Sequence, residues 1–115
     1  MSSSSRLAAL LFVLVGGCST HPTVAAEVCP VRAGQPLRFV DVFDGPTTEM
    51  ATLMPDKGDE RSGYWSLGYV YDANRFVVIR CKYADKKIED VKLTKRVDRC
   101  EYALDSSKTL KISCK

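Results

Sequence analysis

Histidine is nearly absent from this chain: among 115 residues the only one is His21, close to the N-terminus. A Ser-His or Cys-His pair therefore cannot form in the body of the protein, and no imidazole is available there as a general base. The cysteines include no Cys-x-x-Cys spacing, so zinc and thioredoxin-like redox chemistry fit poorly. A glycine-rich phosphate loop is also missing. So is a dominant charge: the formal net charge is +3, from 17 basic and 14 acidic residues. Losing Arg6 with a leader would leave 16 against 14, too small a surplus to hold nucleic acid or an anionic membrane surface. No enzymatic activity, metal or cofactor is expected, and no nucleic-acid partner.

What is present begins with an address. Residues 1–6 are polar with one cation, Arg6, and residues 7–15 (LAALLFVLV) form a run of nine apolar residues. A nine-residue helix rises about 14 Å, under half of a roughly 30 Å hydrocarbon core, so the run reads as the centre of a secretory signal rather than a span. Two cleavage sites compete. Val24-Ala25-Ala26 suits ordinary signal peptidase, while Val15-Gly16-Gly17-Cys18 resembles a bacterial lipobox. The apolar run ends directly against the lipobox and eleven residues short of Ala26, which favours Cys18 as the lipidated mature N-terminus. Of five cysteines this leaves Cys29, Cys81, Cys100 and Cys114, an even set. Bacterial inner-membrane lipoproteins resemble one another in carrying Asp after the lipidated cysteine; here the residue is Ser19. The expected destination is the outer membrane, facing the periplasm, with soluble periplasmic release after Ala26 as the alternative. The reading is a signal peptide over residues 1–17, a tether over 18–28 and a domain over 29–115.

The domain reads as strands. Residues 37–43 (LRFVDVF) are rich in β-branched and aromatic types and end at Asp44-Gly45-Pro46, a turn signal. Residues 49–54 suggest a second strand, with a helical turn as the other choice, and 55–63 a polar loop. Residues 64–71 alternate so that Trp65, Leu67 and Tyr69 share a face, and 75–83 so that Val77, Ile79, Cys81 and Tyr83 do. On the opposite face of the latter lie Phe76 and Val78 beside Arg80 and Lys82, an apolar pair expected to be covered by another strand or loop. In residues 87–93 the inward candidates are Val91 and Leu93. Folding 98–104 onto 109–114 about Ser107 opposes Leu104 to Leu110, Tyr102 to Ile112 and Cys100 to Cys114. Directly opposed antiparallel residues stand close enough for a disulfide. One register therefore satisfies the apolar face and the bridge, and Cys29–Cys81 remains as the second bridge. The expectation is an all-β antiparallel meander of about six strands, forming a curled sheet, sandwich or barrel with two disulfides.

Charge is uneven along the chain. Residues 41–61 hold six acidic and two basic side chains, and 80–99 hold eight basic and four acidic. Asp41, Asp44, Glu49, Asp56, Asp59 and Glu60 read as turn and loop carboxylates. Lys86, Lys87, Lys92, Lys95, Arg96 and Arg99 read as solvated edge residues that discourage aggregation, or alternatively as a basic face for an acidic partner.

Several elements together carry a resemblance: Cys29-Pro30, Val42-Phe43-Asp44-Gly45-Pro46, Ala51-Thr52-Leu53-Met54-Pro55-Asp56, Trp65-Ser66-Leu67, Val78-Ile79-Arg80-Cys81-Lys82-Tyr83, and the closing Cys100 and Cys114. In this order they resemble a family of small uncharacterised proteobacterial envelope proteins known mainly by a Salmonella locus-tag name. The likeness spans nearly all of residues 29–115; Ile79 before Arg80-Cys81 and the lipobox depart from it. The resemblance implies an exported four-cysteine domain without established catalysis, and relatives that neighbour secretion-system loci imply immunity to a periplasm-delivered toxin. The chain is thus expected to be an exported, non-enzymatic protein-binding module, a toxin inhibitor or immunity protein, with loops 44–48 and 56–63 as possible contact surfaces. The alternative is a structural accessory of the envelope or of a secretion machine. No individual binding residue is assigned by the sequence.

Overall fold

The computed structural model describes Gly16 and residues 26–115. The expected leader other than Gly16, Cys18 of the expected lipobox and the expected tether up to residue 25 lie outside the described residues.

The alternation of residues 37–43 produces β2 (Leu37–Asp44), which follows the two-residue β1 (Ala26–Glu27). Val40 and Val42 of β2 point into the core, 7% and 0% exposed. A register shift between Leu37 and Phe39 interrupts the alternation and leaves both Arg38 and Phe39 outside. The expected strand over 49–54 is largely replaced by a 3₁₀ turn, Thr47–Glu49, then left-handed Met50 and the two-residue β3 (Thr52–Leu53). The cause is Arg75, which bonds the Asp44 carboxylate at 2.8 Å and also the Glu49 carboxylate, folding the segment back on itself. Gly45 makes this possible: its φ is +81°, and a Cβ there would sit 2.2 Å from the Arg75 guanidinium.

β4 (Lys57–Gly58) and β5 (Ser62–Ser66) form the next hairpin. The expected strand over 64–71 stops at Ser66, and Gly68–Asp72 is a short helix, α1. Trp65 and Leu67 are buried as expected, but Val70, not Tyr69, continues the buried face, and Tyr69 is 55% exposed. Leu67 and Val70 stand at helical i, i+3 spacing, a period that overlaps with strand alternation over so short a run. Asn74, at φ 60°, ends the turn in the left-handed conformation that Asn tolerates.

The chain then forms β6 (Val77–Tyr83), β7 (Ile88–Leu93), β8 (Arg99–Leu104) and β9 (Leu110–Cys114). Val77, Ile79, Cys81 and Tyr83 are buried, with Val91 and Leu93 packed against them. β8 and β9 adopt the register expected from the sequence: Cys100 opposite Cys114, Tyr102 opposite Ile112, Leu104 opposite Leu110. The Cys100 and Cys114 Cα atoms are 4.1 Å apart and bridged, and Cys29 is bridged to Cys81 at 5.8 Å.

Two antiparallel sheets result, ordered β1-β9-β8-β5-β4 and β3-β2-β6-β7. Six strands have five residues or more. The connection is not a simple meander: successive hairpins alternate between the sheets, α1 carrying the chain from β5 across to β6. Core side chains come from both sheets, Val42, Ile79 and Cys81 on one and Trp65, Cys100 and Ile112 on the other. The fold is therefore a two-sheet sandwich and not a closed barrel. Backbone pairing starts before Cys29: Ala26 lies opposite Cys114, and the Val28 N–H donates to Ile112 O at 3.1 Å.

Part of the covering of Phe76 and Val78 comes from cationic side chains of the same sheet. Val78, 6% exposed, packs beside its cross-strand neighbour Phe43, the Arg80 guanidinium lies 5.2 Å over the Phe43 ring, and Lys92 Nζ lies 4.2 Å over Phe76. Long cationic side chains shield apolar surface with their stems and hold their charge in water, with cation–π attraction added.

The β6–β7 turn makes one acid-sensitive contact. Arg32 grips Asp85 with two hydrogen bonds of 2.9 and 2.8 Å, and the Lys87 N–H donates to the same carboxylate. Chiefly through Arg32, the Asp85 carboxyl is held down at about 2. A folded-state pKa below the unfolded value of about 3.9 gives stability that is complete above about pH 4 and lost as pH falls toward about 2. Asp85→Asn is expected to flatten the loss of stability across that window and leave the neutral-to-alkaline slope unchanged. Urea midpoints measured from about pH 2 to 7 check it.

Candidate functional site

Five of the six carboxylates singled out in the sequence are committed to structure. Asp44 and Glu49 bind Arg75, Asp41 pairs with Lys82 at 2.8 Å, and Asp56 accepts the Ser66 N–H at 2.6 Å. Asp59 accepts the N–H groups of Arg61 and Ser62, which hold its carboxyl below the usual carboxylate range. Asp44, Glu49, Asp56 and Asp59 serve turns and pairing, as their positions in the sequence suggested, whereas Asp41 lies within β2. Among the described residues no three His, Cys, Asp or Glu side chains cluster as a metal site.

The six cations that read alternatively as a basic face are divided by the sandwich. Lys92 covers Phe76 on the outer side of the four-stranded sheet, and Lys86 sits in the β6–β7 turn at φ 67°. Arg96 pairs with Asp72 and with Asp98. Arg99 lies on the other sheet, 3.7 Å over the Tyr64 ring and 2.7 Å from Glu101. That last contact is coulombic rather than a directed hydrogen bond, because Arg99 Nε has no aligned acceptor. Sequence proximity thus does not become a single basic surface.

A different feature stands out where the edges of the two sheets part. A groove of about 340 Å³ runs between β2 and the Thr52–Pro55 segment on one side and Trp65, Tyr102, Leu104 and Leu110 on the other. Its floor is aromatic: the Trp65 and Tyr102 ring centroids are 5.2 Å apart at a 50° tilt. Both polar atoms of this pair are spent in holding the walls. Trp65 Nε1 donates to Leu53 O at 3.0 Å, and the Tyr102 hydroxyl donates to Asp59 O at 2.6 Å. Arg38 closes one end by reaching across to the β8–β9 turn, where it donates to Lys108 O at 2.8 Å.

At the mouth stand Phe39 and Met54, 55% and 83% exposed. Large apolar side chains around an apolar groove are more informative than scattered exposed ones, and a flexible thioether adapts to a partner surface. A larger hollow, about 560 Å³, lies on the five-stranded sheet over Lys57, Tyr64, Arg99 and Lys111, but none of the large exposed apolar side chains among the described residues stands at its edge. The groove is a docking candidate because it combines apolar depth with two exposed apolar side chains at its rim.

Of the two loops expected to be contact surfaces, 56–63 supplies Asp59 and Glu60 to the groove, while 44–48 lines none of it and is drawn back by Arg75. Phe39 and Met54 were not singled out by sequence. Their one local sign is an apolar residue at the bulge beside Val40 and another just before Pro55.

Residues 31–115 match the family model described as Type VI secretion system Tli immunity protein. No curated protein and no solved structure matches the chain. The matched span, well over half of the chain, contains every residue of the groove and begins beyond Cys18 and Cys29.

Proposed function

The chain belongs to the Type VI secretion system Tli immunity protein family, and from that premise we propose that it neutralises its toxin by docking at the Trp65–Tyr102 groove while a lipid on Cys18 tethers it to the outer membrane, facing the periplasm. Immunity of this kind needs binding and no chemistry: an occupied toxin site is closed to its substrate. The observation that supports this site is the apolar groove with Phe39 and Met54 exposed at its mouth. The lipobox at Val15-Gly16-Gly17-Cys18 supports the tether. Cleavage after Ala26 would remove the first residue of β1, which pairs with Cys114, so processing at Cys18 is also the choice that spares the fold.

Each type VI effector of the producing bacterium, directed to the periplasm of a susceptible strain, is expected to arrest growth, and co-expression of this chain to restore growth against one of them. Absence of rescue against every effector would sink the reading. Phe39→Ala and Met54→Ala are each expected to weaken binding to that effector about tenfold, the cost of truncating a central interface side chain, with thermal midpoints within about 2 °C of the parent because both side chains are exposed. Titration calorimetry and thermal melts check this.

The anchor is tested separately. Cys18→Ser is expected to remove the protein from the outer-membrane fraction, and the parent is expected to carry a diacylglyceryl group on Cys18 by mass spectrometry. An unmodified start at Glu27 would establish soluble release instead.

A further inference from the structure

The groove has an open backbone edge. Asp44 N–H donates to Ala51 O at 2.9 Å, so at Asp44 the β2 backbone points away from β6 and toward β3. In an antiparallel strand residues two apart point the same way, which directs Val42 and Val40 to that side as well. Val42 meets Leu53 of β3. Continuing the register, Val40 would meet Pro55, which has no N–H to give. The chain leaves at this point, and the Asp56 N–H donates to Tyr64 O of the other sheet at 2.9 Å. Among the described residues the N–H and C=O of Val40 therefore have no backbone partner on this side, and Val40 lines the groove.

The rim is also unbalanced in charge. Asp41, Asp59 and Glu60 line the groove against the single cation Arg38. Arg38 is turned to the β8–β9 carbonyls, Asp41 is paired with Lys82, and Asp59 holds its own turn. Glu60 is exposed, and among the described residues it has no ion-pair partner. Lys57, on the same hairpin, lines the hollow on the outer face of the five-stranded sheet instead.

We infer that the occupant of the groove is an extended segment of the toxin that adds to β2 at Val40 as a further strand, seats an apolar side chain over Trp65 and Tyr102, and carries a Lys or Arg that meets Glu60. The inference rests on the toxin-docking reading above. Strand addition accounts for the open edge through backbone hydrogen bonds, the groove accounts for the apolar side chain, and the rim accounts for the cation. On an added strand the apolar and basic residues occupy the same face, an even number of positions apart.

The test uses the full chain and the effector identified by the protection assay. Pro55→Val supplies the missing N–H and lets β3 lengthen along Val40; it is expected to weaken effector binding at least tenfold without lowering the thermal midpoint. Glu60→Lys is expected to weaken binding about tenfold, mainly through slower association, and to reduce its salt dependence. Glu89→Lys, on the far edge of the same sheet, is expected to leave binding unchanged. Amide hydrogen exchange gives a readout that needs no variant: Val40 N–H is expected to become protected in the complex. An unprotected Val40 amide, or parent-like binding by both Pro55→Val and Glu60→Lys, overturns strand addition. If Phe39→Ala and Met54→Ala still weaken binding in that case, groove docking stands without it; if they too bind normally, the docking site itself is wrong.

Discussion

Replacing Cys29 and Cys81 together with alanine is expected to lower stability by about 4 kcal/mol, and replacing Cys100 and Cys114 by about 3 kcal/mol or less, on the chain-entropy account of cross-links. The ordering follows from what each bridge constrains. Cys29–Cys81 closes a separation of 52 residues and ties the N-terminal arm, whose Val28 N–H is bonded to β9, to the centre of β6 in the other sheet. Cys100–Cys114 closes only 14 residues and joins neighbours already paired along β8 and β9. Cys81 and Cys100 are both fully buried, so the packing lost on truncation is similar and the difference lies in the unfolded chain. A domain of this size has a small core and depends on such staples. Denaturant midpoints of the two double variants, measured without reductant, decide the matter. A larger loss for the Cys100–Cys114 pair would mean that native-state packing, not loop closure, governs these bridges.

The β8–β9 hairpin shows what makes structure legible in this chain. Apolar alternation, a turn at Ser107 and two cysteines all require one register, and side chains that slip by one residue change faces. The failure at residues 64–71 has an equally local cause. Trp65, Leu67 and Tyr69 alternate like a strand, but Leu67 and Val70 fit a helical turn. What selects the turn is tertiary: a Cβ on Gly68 would lie 2.8 Å from the Arg96 guanidinium, so a segment distant in sequence packs against this glycine. The same reason hides the groove. Arg38, Pro55, Trp65 and Leu104 become neighbours only once the order of strands in both sheets is set, and no local pattern states that order. The six cations from Lys86 to Arg99 look like a patch for the converse reason: they are adjacent in sequence and the fold separates them. The resemblance to exported envelope proteins reached toxin immunity through the neighbours of its relatives, and the family match over residues 31–115 supports that function directly.

Trp65→Ala is expected to cost about 3–5 kcal/mol, the range for truncating a large buried aromatic, and Trp65→Phe about 1–2 kcal/mol, from a smaller ring and the lost hydrogen bond to Leu53 O. Trp65 is 4% exposed on β5, and its Nε1–H reaches across the sandwich to Leu53 O on β3. β3 itself has only two residues paired to β2, so this bond from the opposite sheet is a large part of what holds the groove wall in place. The phenylalanine variant separates two effects that alanine merges. It keeps an aromatic ring beside Tyr102 and most of the core, but releases Leu53 and with it the segment that carries Met54. Effector affinity is therefore expected to fall at temperatures where Trp65→Phe remains fully folded, and the Leu53 and Met54 amides to exchange faster than in the parent. Parent-like affinity in a folded Trp65→Phe protein would show that the β3 wall does not need this anchor, which would confine the role of Trp65 to the core.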